Sequence, residues 1–172
     1  MFFELFPTVD YTNVGQTTPK TVTNIMRRVG VRQAIKENLT VFTRHTIRSG
    51  ETPESIAFDF YGDAELHWII LLTNDIYDRY HQWPMNVNQF QAYVNEKYSD
   101  PFAVHHYEIT QTSGDTTIKI DIGQDNTDHG SATAVTNFEY EESRQDDLRQ
   151  IRLVDPVHVN QFVSDFSRLM EE

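Results

Sequence analysis

Cysteine is missing from this 172-residue chain, which removes disulfides, thiolate nucleophiles and sulfur-ligated zinc together. That absence suits assembly in a reducing cytoplasm. Long apolar runs are missing too. The longest is the five residues from Trp68 to Leu72, against roughly 20 needed to span a bilayer, so no membrane span is expected. The opening MFFELFPTVD lacks the basic region and extended apolar core of a secretory signal. Glycine occurs only seven times, with no two at the spacing of a phosphate-cradling loop. Positive charge is scarce: 14 Lys and Arg face 26 Asp and Glu, a net charge of −12 that repels nucleic acid. The shortage is uneven. Residues 1–48 hold seven basic groups against Glu4, Asp10 and Glu37, a balance of +4, and the rest of the chain carries −16. A basic arm beside an acidic body fits either protein contact, between copies or with a neighbour of complementary charge, or simply a solvated surface.

What the chain does have is concentrated between Arg44 and Tyr80. His45, Thr46 and Ile47 begin a short strand that Ser49-Gly50 ends, since glycine accepts the positive backbone angles of a tight turn. Thr52 suits an N-cap and Pro53 the first helical position, where a missing N–H costs nothing. Ile56, Ala57, Phe60 and Tyr61 recur at helical spacing. Gly62 is the natural stop and Asp63 a fresh cap. A second helix follows with Leu66, Trp68, Ile69 and Ile70, apolar nearly all round and therefore core.

These residues resemble a LysM module, a strand-helix-helix-strand unit known for binding N-acetylglucosamine polymers. The resemblance extends outward through Phe2, Phe3, Phe6 and Pro7, Met26-Arg27-Arg28, Val41-Phe42, Asn74-Asp75-Ile76, Trp83-Pro84-Met85 and Glu96-Lys97-Tyr98. That wider arrangement, from about Phe2 to Tyr98, is similar to the LysM-containing baseplate wedge proteins of T4-like contractile-tailed phages, the gene fifty-three product family. The C-terminal third matches more loosely. The resemblance implies a structural subunit that joins neighbouring wedges around the hub and helps close a six-fold ring. It also implies several copies per ring, other wedge and hub proteins as partners, a place in the virion after assembly in the host cytoplasm, and no cofactor.

The expected fold is α+β in three segments. Residues 1–43 form an extended arm with short helical turns around Ile25, Val29, Ile35 and Leu39. Residues 44–98 form the LysM-like unit plus a helix opened by Asn86 and Gln89 and lined by Phe90, Tyr93, Val94 and Lys97. Residues 99–172 form a β-hairpin and a helix. In them Val104 to Thr110 alternates, and Ile118, Ile120 and Ile122 share a face across a turn at Thr112 to Asp115. Gly123 to Gly130 reads as a polar loop and Ala132 to Glu142 as extended. Asp155-Pro156 starts an amphipathic helix with Val159, Phe162, Val163, Phe166, Leu169 and Met170.

A search for chemistry finds none. His105 and His106 are adjacent in a strand, so their rings should point to opposite faces. His67 and His81 lack the spacing of a helical zinc pair, and His45, His129 and His158 stand alone, so no metal site is expected. No nucleophile elbow occurs. The carboxylates Asp59, Asp63, Glu65 and Glu139, Glu141, Glu142 sit at helix ends or in a charge run, where solvation keeps them ionised, unlike the buried acid of a glycosidase.

Two functions remain. The first is the structural wedge subunit, gripped by partners through apolar anchors at Phe2, Phe3 and Phe6 and at Phe162, Phe166, Leu169 and Met170, with Arg27 and Arg28 beside them. The alternative is a peptidoglycan-binding module whose glycan loop is Ser49, Gly50, Glu51 and Thr52. Against it, no closing strand is recognisable after Asp78 to Met85, which leaves half a sugar groove in doubt.

Overall fold

The computed structural model describes residues 2–13, 15, 17–31, 40–111 and 118–171, in two compact units. The first joins residues 1–82 to 150–172 and the second is 83–149. The first unit closes around a strand that returns from far downstream.

In the first unit, a 3-10 turn at Phe2–Leu5 precedes a hairpin of β1 (Thr8–Tyr11) and β2 (Lys20–Thr23). The N-terminal segment is therefore not simply an extended arm. Main-chain pairing shapes it, although nearly every hairpin side chain faces water. The helical turns expected around Ile25 and Val29 are absent from described residues 24–31, where Gly30 favours an irregular course. Those at Ile35 and Leu39 lie outside the described residues.

β3 (Phe42–Thr46) leads through a turn at Gly50, φ 86°, to α1 (Pro53–Tyr61). Thr52 and Ser55 close a reciprocal cap at its start, and Gly62, φ 78°, ends it in the left-handed conformation. Asp63 then accepts from the Glu65 N–H and opens a 3-10 turn at Ala64–Leu66 that runs into α2 (His67–Thr73). A short α3 (Arg79–Gln82) is tied back to α1 by the Arg79–Glu54 pair, 2.5 and 3.0 Å.

The chain returns to this unit as β7 (Gln150–Val154), antiparallel to β3 with Phe42 opposite Val154 and Thr46 opposite Gln150. This strand was not expected from sequence, although QIRLV alternates correctly, because its partner lies 104 residues upstream. The far edge of β7 is closed by side chains. Asn74 donates to the Arg152 carbonyl and accepts from its N–H, both at 2.8 Å, while Tyr61 accepts from the Val154 N–H at 3.1 Å. Burial pushes the Tyr61 hydroxyl up to about 12, and the Val154 N–H offsets only part of that rise.

The closing helix α6 (Pro156–Glu171) lays Val159, Phe166 and Met170 onto Phe42, Trp68, Ile69 and Val154. The Trp68 ring sits 4.7 Å from that of Phe166 and 6.2 Å from that of Phe162. Leu5 and Phe6 pack at the edge of this cluster.

The second unit holds α4 (Val87–Lys97), β4 (Val104–Thr110), β5 (Lys119–Asp121), β6 (Thr133–Thr136) and α5 (Asn137–Arg149), with strand order β5-β4-β6. The turn expected at Thr112 to Asp115 falls outside the described residues. Asn86 and Gln89 form the reciprocal cap that their spacing implies, and Phe90 and Val94 are buried. Phe90 meets Phe138 edge-on at 5.2 Å. Three expectations fail in this unit. Only Thr133–Thr136 of the stretch read as extended is a strand; helix α5 begins at Asn137. Thr136 and Glu139 close its first turn, the hydroxyl accepting from the Glu139 N–H and the carboxylate from the Thr136 N–H. Glu141 is not solvated but 2% exposed. His105 and His106 do not diverge, because a β-bulge between Val104 and His106 breaks the alternation.

Candidate interaction surfaces

A groove of about 520 Å³ lies along α6 in the first unit. Its floor is apolar, from Val29, Val31, Val41, Leu72, Phe162 and Leu169, and His158, Gln161, Asp165 and Arg168 add polar groups. Gln161 donates to Asp165 at 3.0 Å and Arg168 lies 3.4 Å away, which holds that carboxyl below its ordinary range. The groove draws on three segments far apart in sequence, so no local pattern could have announced it.

The expected anchor residues divide. Phe166 is 4% exposed and Met170 fully buried, so both belong to this chain's own core and neither is available to a partner. The same stripe that reads as an anchor is the one that packs on Trp68. Phe162 is half-buried at the groove and Leu169 is 40% exposed beside it. Phe3 is 63% exposed, with its ring 5.6 Å from that of Phe6, while Phe6 turns inward. For Phe2 only the backbone is described. Arg28 is exposed, and Arg27 reaches the Leu169 carbonyl at 3.5 Å, next to the last turn of α6.

The loop Ser49 to Thr52 uses its polar groups internally. Glu51 accepts from the Arg48 N–H at 2.8 Å and lies 3.3 Å from His45 Nε2. Burial opposes its ionisation, but these two contacts outweigh burial and keep the carboxyl below its ordinary range. Thr52 serves as helix cap and Gly50 as the turn residue. The loop is thus committed to holding α1 and β3 together.

In the second unit, Glu141 accepts from Lys97 Nζ at 2.7 Å and from the Tyr98 hydroxyl at 2.8 Å, with Arg144 at 3.8 Å. Burial works against its charge, and the Lys97 and Tyr98 bonds overcome it, so the carboxyl sits below its ordinary range. The Glu141 and Tyr93 hydrogen bonds raise the Lys97 ammonium above its own. This is a satisfied structural ion pair, not a raised-pKa acid, so it offers no general acid. Nearby, His105 Nδ1 lies 2.9 Å from His106 Nδ1, and the His105 ring stacks on Tyr140 at 3.9 Å. Among the described residues no three His, Asp or Glu groups converge to hold a metal ion.

Comparison with known proteins places the whole chain. The family described as base plate wedge protein 53 matches residues 1–103. Baseplate wedge protein gp53 of Enterobacteria phage T4 is 26% identical over 193 aligned residues, which cover 100% of this chain and 97% of that protein. Two esterases of Mycobacterium tuberculosis, MT1326 and Rv1288, are 49% identical over 37 residues, only 22% of this chain and 8% of either esterase.

Proposed function

We infer function from one premise: the chain belongs to the base plate wedge protein 53 family. It is a structural subunit of a bacteriophage baseplate wedge, its place is the tail baseplate of the virion, and its partners are other baseplate proteins. The observation that carries this is similarity along the full length of a named wedge protein, not a shared fragment. No comparable support stands behind esterase activity, because the shared stretch is a small part of those enzymes.

Within that role, we propose that the protein joins neighbouring wedges around the hub, several copies contributing to a six-fold ring assembled in the host cytoplasm. The β3-α1-α2-β7 block acts as a LysM-like rigid scaffold, with residues 83–149 inserted before its last strand. It holds partners and not glycan, since Glu51 and Thr52 are occupied in closing their own turn. Partner contact falls on Phe3 and Arg28, which are exposed, and on Phe162 and Leu169, which line the groove. Aromatic and arginine side chains that can be desolvated carry much of the energy at such contacts.

The double variant Phe3→Ser with Leu169→Ser tests this. Its melting temperature should stay near that of the parent, because neither side chain is in the core, while its incorporation into baseplates reconstituted from the same phage's wedge proteins should fall sharply. Incorporation at the parental level would disprove the assignment of these anchors.

A further inference from the structure

Two sheets in this protein turn an apolar face to water. In the second unit Ile109 of β4 stands opposite Ile120 of β5, and Tyr107 of β4 opposite Ala134 of β6, so these four side chains share one face. Ile120 and Ala134 are exposed, and Ile118, 64% exposed, extends the row at period two. Helix α5 covers the opposite face. There the His106 ring meets that of Tyr140 edge-on at 5.9 Å, and Glu108 lies 3.3 Å from His106 and 2.9 Å from Lys119 Nζ. A sheet covered on one side usually turns its apolar side chains to the helix and its polar ones to water. In β4 and β5 that order is reversed.

The β1–β2 hairpin of the first unit is the second case. Val9 stands opposite Val22 and Tyr11 opposite Lys20, so these share a face, while Thr21 Oγ1 donates to Asp10 Oδ1 at 2.8 Å on the other. Val9 and Tyr11 are exposed. A two-stranded hairpin is marginal by itself and needs an apolar layer against it. Sheets supply such layers to one another by packing face to face. Charge decides which face meets which. Residues 1–48, which contain the hairpin, carry +4, whereas residues 83–149 hold 12 Asp and Glu against four Lys and Arg, a balance of −8. Two hairpins, or two copies of the second sheet, would bring like charge together. The hairpin against the second sheet brings opposite charge together, with Lys20 on the apolar face itself.

We propose that the Val9–Tyr11–Val22 face of the hairpin packs on the Ile109–Ile120 face of the sheet in a second copy of this chain. Each supplies the apolar layer that the other lacks. Because the two faces differ, copies either pair reciprocally about a two-fold axis or link head to tail into a ring. The contact uses none of the anchors assigned above, and it stands or falls without them.

Analytical ultracentrifugation of the full chain tests it with two variants, V9T/Y11T and I118T/I120T, which keep strand propensity and alter only exposed side chains. The parent should self-associate. Each variant alone should associate at least about tenfold more weakly, since two apolar side chains no longer leave water at the contact, while it melts near the temperature of the parent. Mixed in equal amounts, the two variants should form one-to-one dimers, because the intact hairpin of one meets the intact sheet of the other. Unfolding of either variant cannot produce that recovery. A parent that stays monomeric up to about millimolar concentration, either variant associating like the parent, or a mixture that stays monomeric would overturn the proposal.

Discussion

Replacing Lys97 with methionine strands a buried carboxylate, and its cost can be worked from the geometry. Glu141 is 2% exposed and leans on Lys97 Nζ at 2.7 Å, the Tyr98 hydroxyl at 2.8 Å and Arg144 at 3.8 Å. Removing one partner of a fully buried pair typically costs about 3–5 kcal/mol, because the remaining charge is left without compensation. Here the Lys97 side chain is 38% exposed, and Tyr98 and Arg144 stay in place, so water and the two survivors recover part of the loss. The expected cost for Lys97→Met is therefore about 2–3 kcal/mol at neutral pH.

The pH dependence carries a sign. In the native protein the Glu141 carboxyl sits below its ordinary range, so its contribution is present above the unfolded value and is lost as pH falls through the folded one. In Lys97→Met burial dominates, the carboxyl pKa rises, and a proton neutralises the stranded charge. The deficit relative to the parent should thus shrink below about pH 5. Urea denaturation at several pH values, read by amide resonances of α4 and α5, measures this unit by itself. The double variant Lys97→Met/Glu141→Leu should regain most of the loss, as apolar replacements of buried pairs often do. A deficit under about 0.5 kcal/mol, or one that does not change between about pH 4 and 8, would refute the reasoning.

Two further substitutions probe the edges of the first unit. Asn74→Ala frees both main-chain groups of Arg152 and should cost about 1–2 kcal/mol in thermal denaturation, with faster amide exchange at Arg152; Asn74→Asp keeps the acceptor alone and should fall between, so equal effects would mean that the bond accepted from the Arg152 N–H contributes nothing. Thr52→Ala should cost about 1 kcal/mol by removing the cap of α1 while leaving retention on insoluble peptidoglycan unchanged, and salt-resistant retention that this substitution abolishes would revive sugar binding.

The parts legible in the sequence are those whose cause lies within four residues. Thr52, Pro53, Gly62, Asp63, Asn86 and Gln89 each act on a neighbouring main-chain group, so their identities predicted the helix ends that the structure contains. Helix α5 was missed although Thr136 and Glu139 carry a cap signal, because an acidic segment without an apolar stripe gives periodicity nothing to detect. The bulge that brings His105 and His106 together is an irregularity in pairing, and pairing is invisible in one strand alone. The same holds for Glu141: a carboxylate in a charged run reads as solvated until Lys97 and Tyr98, more than 40 residues upstream, are seen to cover it.

By itself, the sequence determined the local elements of the first unit, the apolar identity of α2 and α6, the absence of thiol and phosphate-loop chemistry, and the family resemblance to a baseplate wedge protein that full-length similarity supports. Tertiary structure alone decided that Gln150–Val154 returns to Phe42–Thr46, and that Phe166 and Met170 face inward while Phe162 and Leu169 line a groove. It also decided that Ile120 lies on the sheet face turned away from α5. Each of these depends on which distant segment fills the space beside a residue, and burial and charge proximity are properties of that neighbour as much as of the residue.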